Sequence, residues 1–489
     1  MIKVTVGSRP SREEAFATPF VDEPPELPQE QGPQSDRRMS LVYNSPQLHE
    51  LVGKVHEQTV DNYYFNREYV QSLKHDKKVE DSYNYVRDRI NTTIAEHAED
   101  ADFRTLTSED RESVVAAVAH EILGYGPLEI LLDDDSISDI MVNTYKQVYV
   151  ERRGRGGLEI FKAISFRDNQ HLLTTINRIV NEVQREVNER SPMVDARIDR
   201  VREDGSIQRI RINAIIEPLS IEGPVLSIRK FPQEHIKLWD LVQNQTLTKD
   251  MADLLEKICL AKLNVLISGG TGSGKTTLLN AMSGAIPKND RVITIEDTAE
   301  LHLQQDHVVR LETRPPNPNS DAANFGEITQ RDLVKNSLRM RPDRIIVGEV
   351  RGNEALDMLQ AMNTGHEGSL TTIHANSGRD ALSRLETMVA LASGNTSSRF
   401  IRQSISRVFH VVLHTARIGD SRKLMSIQEL TGMQDDIITM QEIFAFEQTG
   451  LEGGRVQGAF KAKGLRPDFL RRFQARSIPL PDPRIFMED

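Results

Sequence analysis

Ile267-Ser268-Gly269-Gly270-Thr271-Gly272-Ser273-Gly274-Lys275-Thr276-Thr277 is the stretch whose reading decides the fold. It has the spacing of a phosphate-binding loop: glycine, four residues, glycine, lysine, threonine. Gly269, Gly272 and Gly274 lack a Cβ, so the backbone is free to turn its N–H groups inward around an anion. Gly270, Thr271, Gly272, Ser273, Gly274, Lys275, Thr276 and Thr277 form the expected nucleotide-binding set. In it Lys275 supplies a point charge for the outer phosphates, and the Thr276 hydroxyl is the expected Mg²⁺ ligand. Leu263 to Ile267 reads as a short buried strand and Thr276 onward as a helix whose N-terminus faces the phosphates. A dinucleotide fingerprint fits poorly, because the glycine spacing is wrong and a lysine follows at once. The reading is a nucleoside triphosphate site.

Composition bounds the rest. A length of 489 residues implies roughly three domains. The net charge of −11 implies no general affinity for nucleic acid and argues against a DNA motor. The single cysteine, Cys259, excludes a disulfide framework and a cysteine-rich zinc site. No apolar run approaches the ~20 residues that cross a bilayer, and no basic-then-apolar leader opens the chain. These points lead to an expected cytoplasmic location, with peripheral attachment to a membrane complex left open.

Outward from the loop, strands alternate with helices from about residue 241 to 415, at 263–267, 292–295, 308–311, 344–348, 369–373 and 409–413. That alternation predicts an α/β domain with a RecA-like parallel sheet and helices on both faces. Before it, residues 111–232 mix one helix (His171 to Val187) with short alternating strands, an α+β, PAS-like domain on an antiparallel sheet. Arg197, Arg200, Arg209, Arg211, Arg229 and Lys230 cluster near its strand edges, a run read as a solvated face. Residues 46–110 show helical spacing and predict a small bundle, with Tyr63, Tyr64, Phe65 and Tyr69 as core packing. Residues 1–45 are proline-rich and acidic and read as a disordered tail. A linker at 233–240 carries the only tryptophan, Trp239, expected to pack the junction. Residues 416–489 read as a C-terminal subdomain with a hairpin, and the basic run Gly464 to Arg472 as a solvated face.

Three further strands of the α/β region end in polar residues, where an open parallel sheet places its ligand groups. Arg344 to Val347 runs into Gly348-Glu349, and a carboxylate there can support the Mg²⁺ shell opposite Thr276. Val292 to Ile295 runs into Glu296-Asp297, either of which could deprotonate an attacking water, with Glu296 favoured. Ser369 to Asn376 places Thr371, Thr372 and His374 at a third strand end. The spacing of His410 and His414 suits a shared metal poorly.

Together these residues resemble the secretion ATPase superfamily of type II secretion, type IV pili, archaella and type IV secretion. Its boxes are matched in order at 269–277, Glu296-Asp297, Gly348-Glu349-x-Arg351 and Thr371 to Asn376. Val194-Asp195-Ala196-Arg197, Ser227-Ile228-Arg229-Lys230-Phe231 and Gly348 to Gly352 are most similar to the tight-adherence (Tad/CpaF) pilus ATPases. The resemblance implies a homo-oligomeric ring, usually a hexamer, that binds ATP and Mg²⁺ between its two large domains and works an inner-membrane pilus platform. It also implies that Arg211 and Arg229, and less strongly Arg197, reach the γ-phosphate, and that His374 senses it. The alternatives are a type IV secretion motor, a regulatory ATP-binding module of low turnover and, more remotely, a metabolic kinase.

Overall fold

The structure is a computed structural model that describes residues 42–488, save 44, 63–64, 76–78, 105, 154–156, 203, 232–235, 317–324 and 454. The expected tail thus lies almost wholly outside the described residues, as do Tyr63, Tyr64 and the first three residues of the expected linker. Its final residues differ from expectation: Val42 and Tyr43 are fully buried in the N-terminal core.

The N-terminal helices form where caps and apolar stripes coincide. Ser45 caps Pro46–Asp61, which buries Leu51, Val52 and Val55. Thr107 and Asp110 close a reciprocal capping box on Ser108–Leu123, satisfying two otherwise orphaned N–H groups. This helix packs against Pro46–Asp61 and Val79–Glu96. It also crosses the expected boundary at 110/111, and one continuous apolar core joins Val55, Ile90 and Val118 to Ile140, Ile198 and Ile212 of the following sheet. Bundle and α+β region therefore share a core.

That sheet contains β1 (Ile137–Thr144), β2 (Gln147–Arg152), β3 (Leu158–Ile160), β4 (Met193–Val201), β5 (Ile207–Ile215) and β6 (Val225–Lys230). Its order is β3-β2-β1-β6-β5-β4, antiparallel throughout. Strict alternation in β4 and β5 turns Val194, Ala196, Ile198, Ile210 and Ile212 inward. The helix Asn169–Asn181, capped by Asp168, contributes Leu172, Ile176 and Ile179 to the same core. The opposite phase carries Asp195, Arg197, Arg209 and Arg211.

The solvated-face expectation fails for Arg200 and Lys230. Both are buried: Arg200 pairs with Glu129 and Asp133, and Lys230 donates to the Leu131 and Asp134 carbonyls. They saturate the chain end between the helix Glu129–Asp133 and β1, as a buried charge must be saturated.

The second sheet holds β7 (Val265–Gly269), β8 (Val292–Glu296), β9 (Val308–Glu312), β10 (Arg344–Val350), β11 (Leu370–His374), β12 (Val411–Ile418), β13 (Ser421–Gln434), β14 (Ile437–Glu452) and β15 (Arg455–Ala462). Its order is β15-β14-β13-β12-β7-β11-β10-β8-β9. The run β12-β7-β11-β10-β8-β9 is parallel, as predicted. Every residue of β7 is buried because both faces are covered: Val265 and Ile267 enter one core, Leu266 the other. Beyond the predicted boundary at 415/416 the same sheet continues, with β13 antiparallel to β12, β14 to β13 and β15 to β14. Trp239 does not pack the junction. It is 53% exposed, and its helix Leu238–Gln243 buries Leu241 instead.

Candidate functional site

The loop after β7 has the geometry its glycines imply. Gly272 and Gly274 take positive φ, 68° and 95°, and Gly274 is the residue before the helix Lys275–Ser283. A Cβ on Gly269 would lie 2.4 Å from the Thr415 carbonyl oxygen and from Ser273 Oγ, so only glycine fits beside β12. Ser273 Oγ donates to the Gly270 carbonyl at 2.9 Å. Lys275 is buried, with Nζ donating to the Gly269 and Gly270 carbonyls at 3.0 and 2.9 Å. Burial lowers its proton affinity, while the nearby Glu349 opposes that shift. An ammonium satisfied by two loop carbonyls can exchange them for phosphate oxygens without crossing the sheet. Thr276 and Thr277 stand half-buried in the helix's first turn.

The neighbouring strand ends converge on this loop. His374 lies opposite Gly269 in the β11–β7 pairing, and its Nε2 is 2.9 Å from the Thr271 hydroxyl. Glu349 accepts from Arg351 at 2.9 Å, and Arg351 also reaches Asp297 at 3.3 Å. Burial alone would raise the Glu349 proton affinity. The Arg351 hydrogen bond, with the charges of Arg351 and Lys275, outweighs it and holds the carboxyl below its usual range. An ionised carboxylate and a helix-start hydroxyl are the hard oxygen donors Mg²⁺ prefers, so Thr276 and Glu349 suit that ion.

Glu296 behaves differently. It is 4% exposed, with Oε2 accepting the Glu300 and Leu301 backbone N–H groups at 2.8 and 2.7 Å. Burial pushes its proton affinity up to about 7 despite those two bonds. Oε2 thus shapes the loop that follows β8, while Oε1 is buried without a hydrogen-bond partner. The carboxylate this loop presents is Glu300, which sequence reasoning missed. The charges of Arg229, Arg211, Arg351 and Glu349 all act on it, and burial still keeps its proton affinity raised.

Arg211 and Arg229 belong to a row across the first sheet. Arg197 faces Arg211 in the β4–β5 pairing, Arg211 faces Arg229 in β5–β6, and Arg229 faces Asp139 in β6–β1. Like charges directly opposite one another destabilise a sheet unless anions compensate. Some of that compensation is internal: Asp195 takes two bonds from Arg211, and Asp139 one from Arg229 at 2.9 Å. The rest comes from the second sheet, with Glu312 2.5 Å from Arg197 and Glu300 3.8 Å from Arg211. This row, expected to be solvated, instead faces the loop after β8 and edge strand β9.

Two more arginines escaped the sequence reading. Arg422, on β13, donates from Nε to the Gly272 carbonyl at 2.9 Å, and its Cδ would lie 3.4 Å from a Cβ on Gly274. Arg417, on β12, packs beside Gly272 and pairs with Glu151 of β2 at 2.9 Å. No local pattern announces either, since about 150 residues separate Arg422 from the loop it touches.

Residues 121–432 match the family profile of the type II/IV secretion system protein. The chain belongs to that family. Among relatives, a Mycobacterium tuberculosis protein named for conjugal transfer is 34% identical over 340 residues, covering 66% of this chain and 94% of its own. The conjugal transfer protein TrbB of Rhizobium radiobacter is 31% identical over 63% of this chain and 88% of its own. Among solved structures, the VirB11 ATPase of the Brucella suis type IV secretion system superposes with TM-score 0.32 at 27% identity, covering 62% of this chain and 94% of that one. Membership of the family, with the phosphate loop at 269–277, makes this chain an ATP-hydrolysing enzyme of the phosphate-loop type. Among its described residues no single helix is long and apolar enough to cross a membrane.

Proposed function

We propose that this chain is the ATP-driven motor of an envelope-spanning machine, working as a hexameric ring attached peripherally to an inner-membrane platform that assembles a Tad-like pilus. The observation that carries the ATPase mechanism is the arginine row of β4, β5 and β6 aimed at the strand ends beside the phosphate loop. In this reading the loop amides, Lys275 and Thr277 bind the triphosphate of ATP. Thr276 and Glu349 would hold Mg²⁺, which neutralises phosphate charge when bound. Arg211 and Arg229 draw toward the γ-phosphate and stabilise charge that spreads over the transferred group. Arg422 and Arg417 close over the loop from the other side.

For the water, the geometry favours Glu300 over Glu296. Glu300 sits among the arginines that would meet the γ-phosphate, whereas Glu296 is tied to two backbone amides. Glu296 then becomes the group that positions Glu300. His374, at hydrogen-bond distance from Thr271, would report phosphate occupancy to β11. Because Arg197–Glu312 and Arg417–Glu151 bridge the two sheets, hydrolysis that frees the arginines would let the halves rock against each other.

Lys275→Ala tests the enzymatic reading: it should remain folded and lose ATP turnover, and full activity would contradict the assignment. The cargo is a separate question. The pilus reading rests on residues such as Val194 to Arg197 and Gly348 to Gly352; a conjugation or type IV secretion motor is favoured by the names of the relatives above. Deleting the gene separates them, through loss of surface fibres in the first case and of DNA or effector transfer in the second.

A further inference from the structure

Strands β7, β10, β11 and β12 begin at the end of the sheet opposite the phosphate loop. The residues just before these strands, with the C-terminal helix Leu470–Ala475, line a separate open cleft of about 500 Å³. Lys262, Arg407, Arg472 and Arg476 line it against two carboxylates, Asp343 and Glu367, and Lys262 also pairs at 3.3 Å with Asp290, whose main partner is the buried Arg344. Both carboxylates are already engaged. Asp343 accepts the Arg291 backbone N–H at 2.8 Å, and Glu367 is held by Arg472 at 3.3 Å and Arg476 at 2.6 Å. Each of these guanidiniums uses one of its five N–H donors on Glu367, which leaves most of each fork for another acceptor.

The floor of the cavity adds a directional donor. His410 Nδ1 accepts the Asn264 backbone N–H at 3.1 Å, which assigns the proton of the neutral ring to Nε2. Burial pushes the ring's proton affinity down to about 4, so it stays neutral near pH 7. Asn264 itself is locked. Its side chain donates to the Val408 carbonyl at 2.8 Å and accepts from the Gly368 and Ser369 amides at 2.8 and 3.0 Å. One residue thus pins the starts of three strands, and the surrounding donors are held on a rigid base. Donors exceed acceptors here, and the surplus is positive.

We propose that this cavity binds a phosphate-bearing anion of about nucleotide size. Its volume falls in the range of small-molecule sites, and planar guanidinium forks match phosphate oxygens two at a time. The basic C-terminal run, expected to be a solvated face, thereby becomes one wall of a site. The proposal stands apart from the ATPase reading, since none of these residues touches the phosphate loop.

The test is calorimetric titration of the full-length protein with inorganic pyrophosphate, in the presence of saturating ADP whose own binding is measured separately. One additional site per chain is expected. Arg407→Glu, on the exposed face of the helix Ser398–Val408, should weaken it about tenfold or more, the loss of one charge-assisted contact. Lys262→Asn should do the same, because Lys262 has a φ of 55° that asparagine adopts readily. Neither should alter ADP affinity. In the unaltered protein pyrophosphate should also slow amide exchange at Asn264 and Gly368, which requires no variant to fold. Absence of a second site, pyrophosphate binding indifferent to both substitutions, or binding that vanishes when ADP fills the loop would overturn the proposal. So would a change of oligomeric state in Arg407→Glu without any change in pyrophosphate binding, which would assign the cavity to an acidic face of a second copy.

Discussion

Glu300→Gln and Glu296→Gln separate the two carboxylates offered by the loop after β8. Glu296 Oε2 holds the Glu300 and Leu301 amides at 2.8 and 2.7 Å, so an excursion of the carboxylate toward a water past the strand end breaks both bonds, although Oε1 itself has no hydrogen-bond partner. Hydrogen bonds to a charged group contribute about 1.5–3 kcal/mol each, so the excursion costs about 3–6 kcal/mol, on the order of 10²–10⁴ in rate. Glu300 carries no such penalty; its nearest cation is Arg211, at 3.8 Å. A positioned base is worth about 10²–10⁴ in kcat. Steady-state phosphate release under saturating ATP and Mg²⁺ should therefore fall by about that factor in Glu300→Gln, with nucleotide affinity little changed. Glu296→Gln keeps a carbonyl that can accept the same amides and should retain kcat within about tenfold. The reasoning fails if Glu300→Gln turns over like the wild type while Glu296→Gln, folded and still binding nucleotide, loses more than about a hundredfold.

Glu296 also gives stability a pH dependence. With a folded value near 7 against the ordinary 4.5, the native state holds a proton that the unfolded chain releases between those limits. Stability should therefore fall as pH rises through that window, by about 3 kcal/mol at most, and level off above it. Urea midpoints at pH 5 and 8 should show the slope, and Glu296→Gln should flatten it. Gly269→Ala forces a Cβ against the Thr415 carbonyl, so thermal melting and nucleotide binding should both suffer, the former by about 1–3 kcal/mol. Arg344 is fully buried and bonds Asp290, the Cys259 carbonyl and the Gly368 carbonyl. Arg344→Ala leaves Asp290 with Lys262 alone and three buried bonds unmade, and should destabilise the chain by about 3–5 kcal/mol in chemical denaturation. A double-mutant cycle on Arg197 and Glu312 should return a coupling of about 1 kcal/mol, smaller at high salt, and a value of zero would argue against a bridge between the sheets in solution.

What could be read in advance depended on which forces act locally. The phosphate loop, its strand and its helix are specified within eleven residues, because positive φ at Gly272 and Gly274 and the helix start at Lys275 are decided by neighbours. The six parallel strands were legible as apolar runs, since a sheet covered on both faces has no polar phase to blur them. The α+β region misled in a different way. Arg200 and Lys230 look like surface residues by type, and only the carboxylates and carbonyls that fold around them make burial tolerable. The continuation of the sheet past 415/416 was not legible, because hydropathy cannot distinguish a strand that extends a sheet from one that begins another.

The same limit bears on the roles of the carboxylates. In parallel strands every C-terminal end lies on one side, so a polar residue after an apolar run is placed at the correct end by sequence alone. Lateral order is another matter, because it is set by crossovers that leave no local mark. Here β7 is followed across the sheet by β11, then β10, then β8. At about 4.8 Å per strand, Glu349 begins roughly 10 Å from the loop strand and Glu296 roughly 14 Å away. A glutamate side chain does not close that second gap from inside a strand, and Glu296 instead folds onto the amides that follow it. The reach is recovered by the chain running on past the strand end, which brings Glu300 toward Glu349 and the arginines of the other sheet. The acid proposed to act is therefore four residues beyond the one that ends the strand, a shift that follows from the order of the strands.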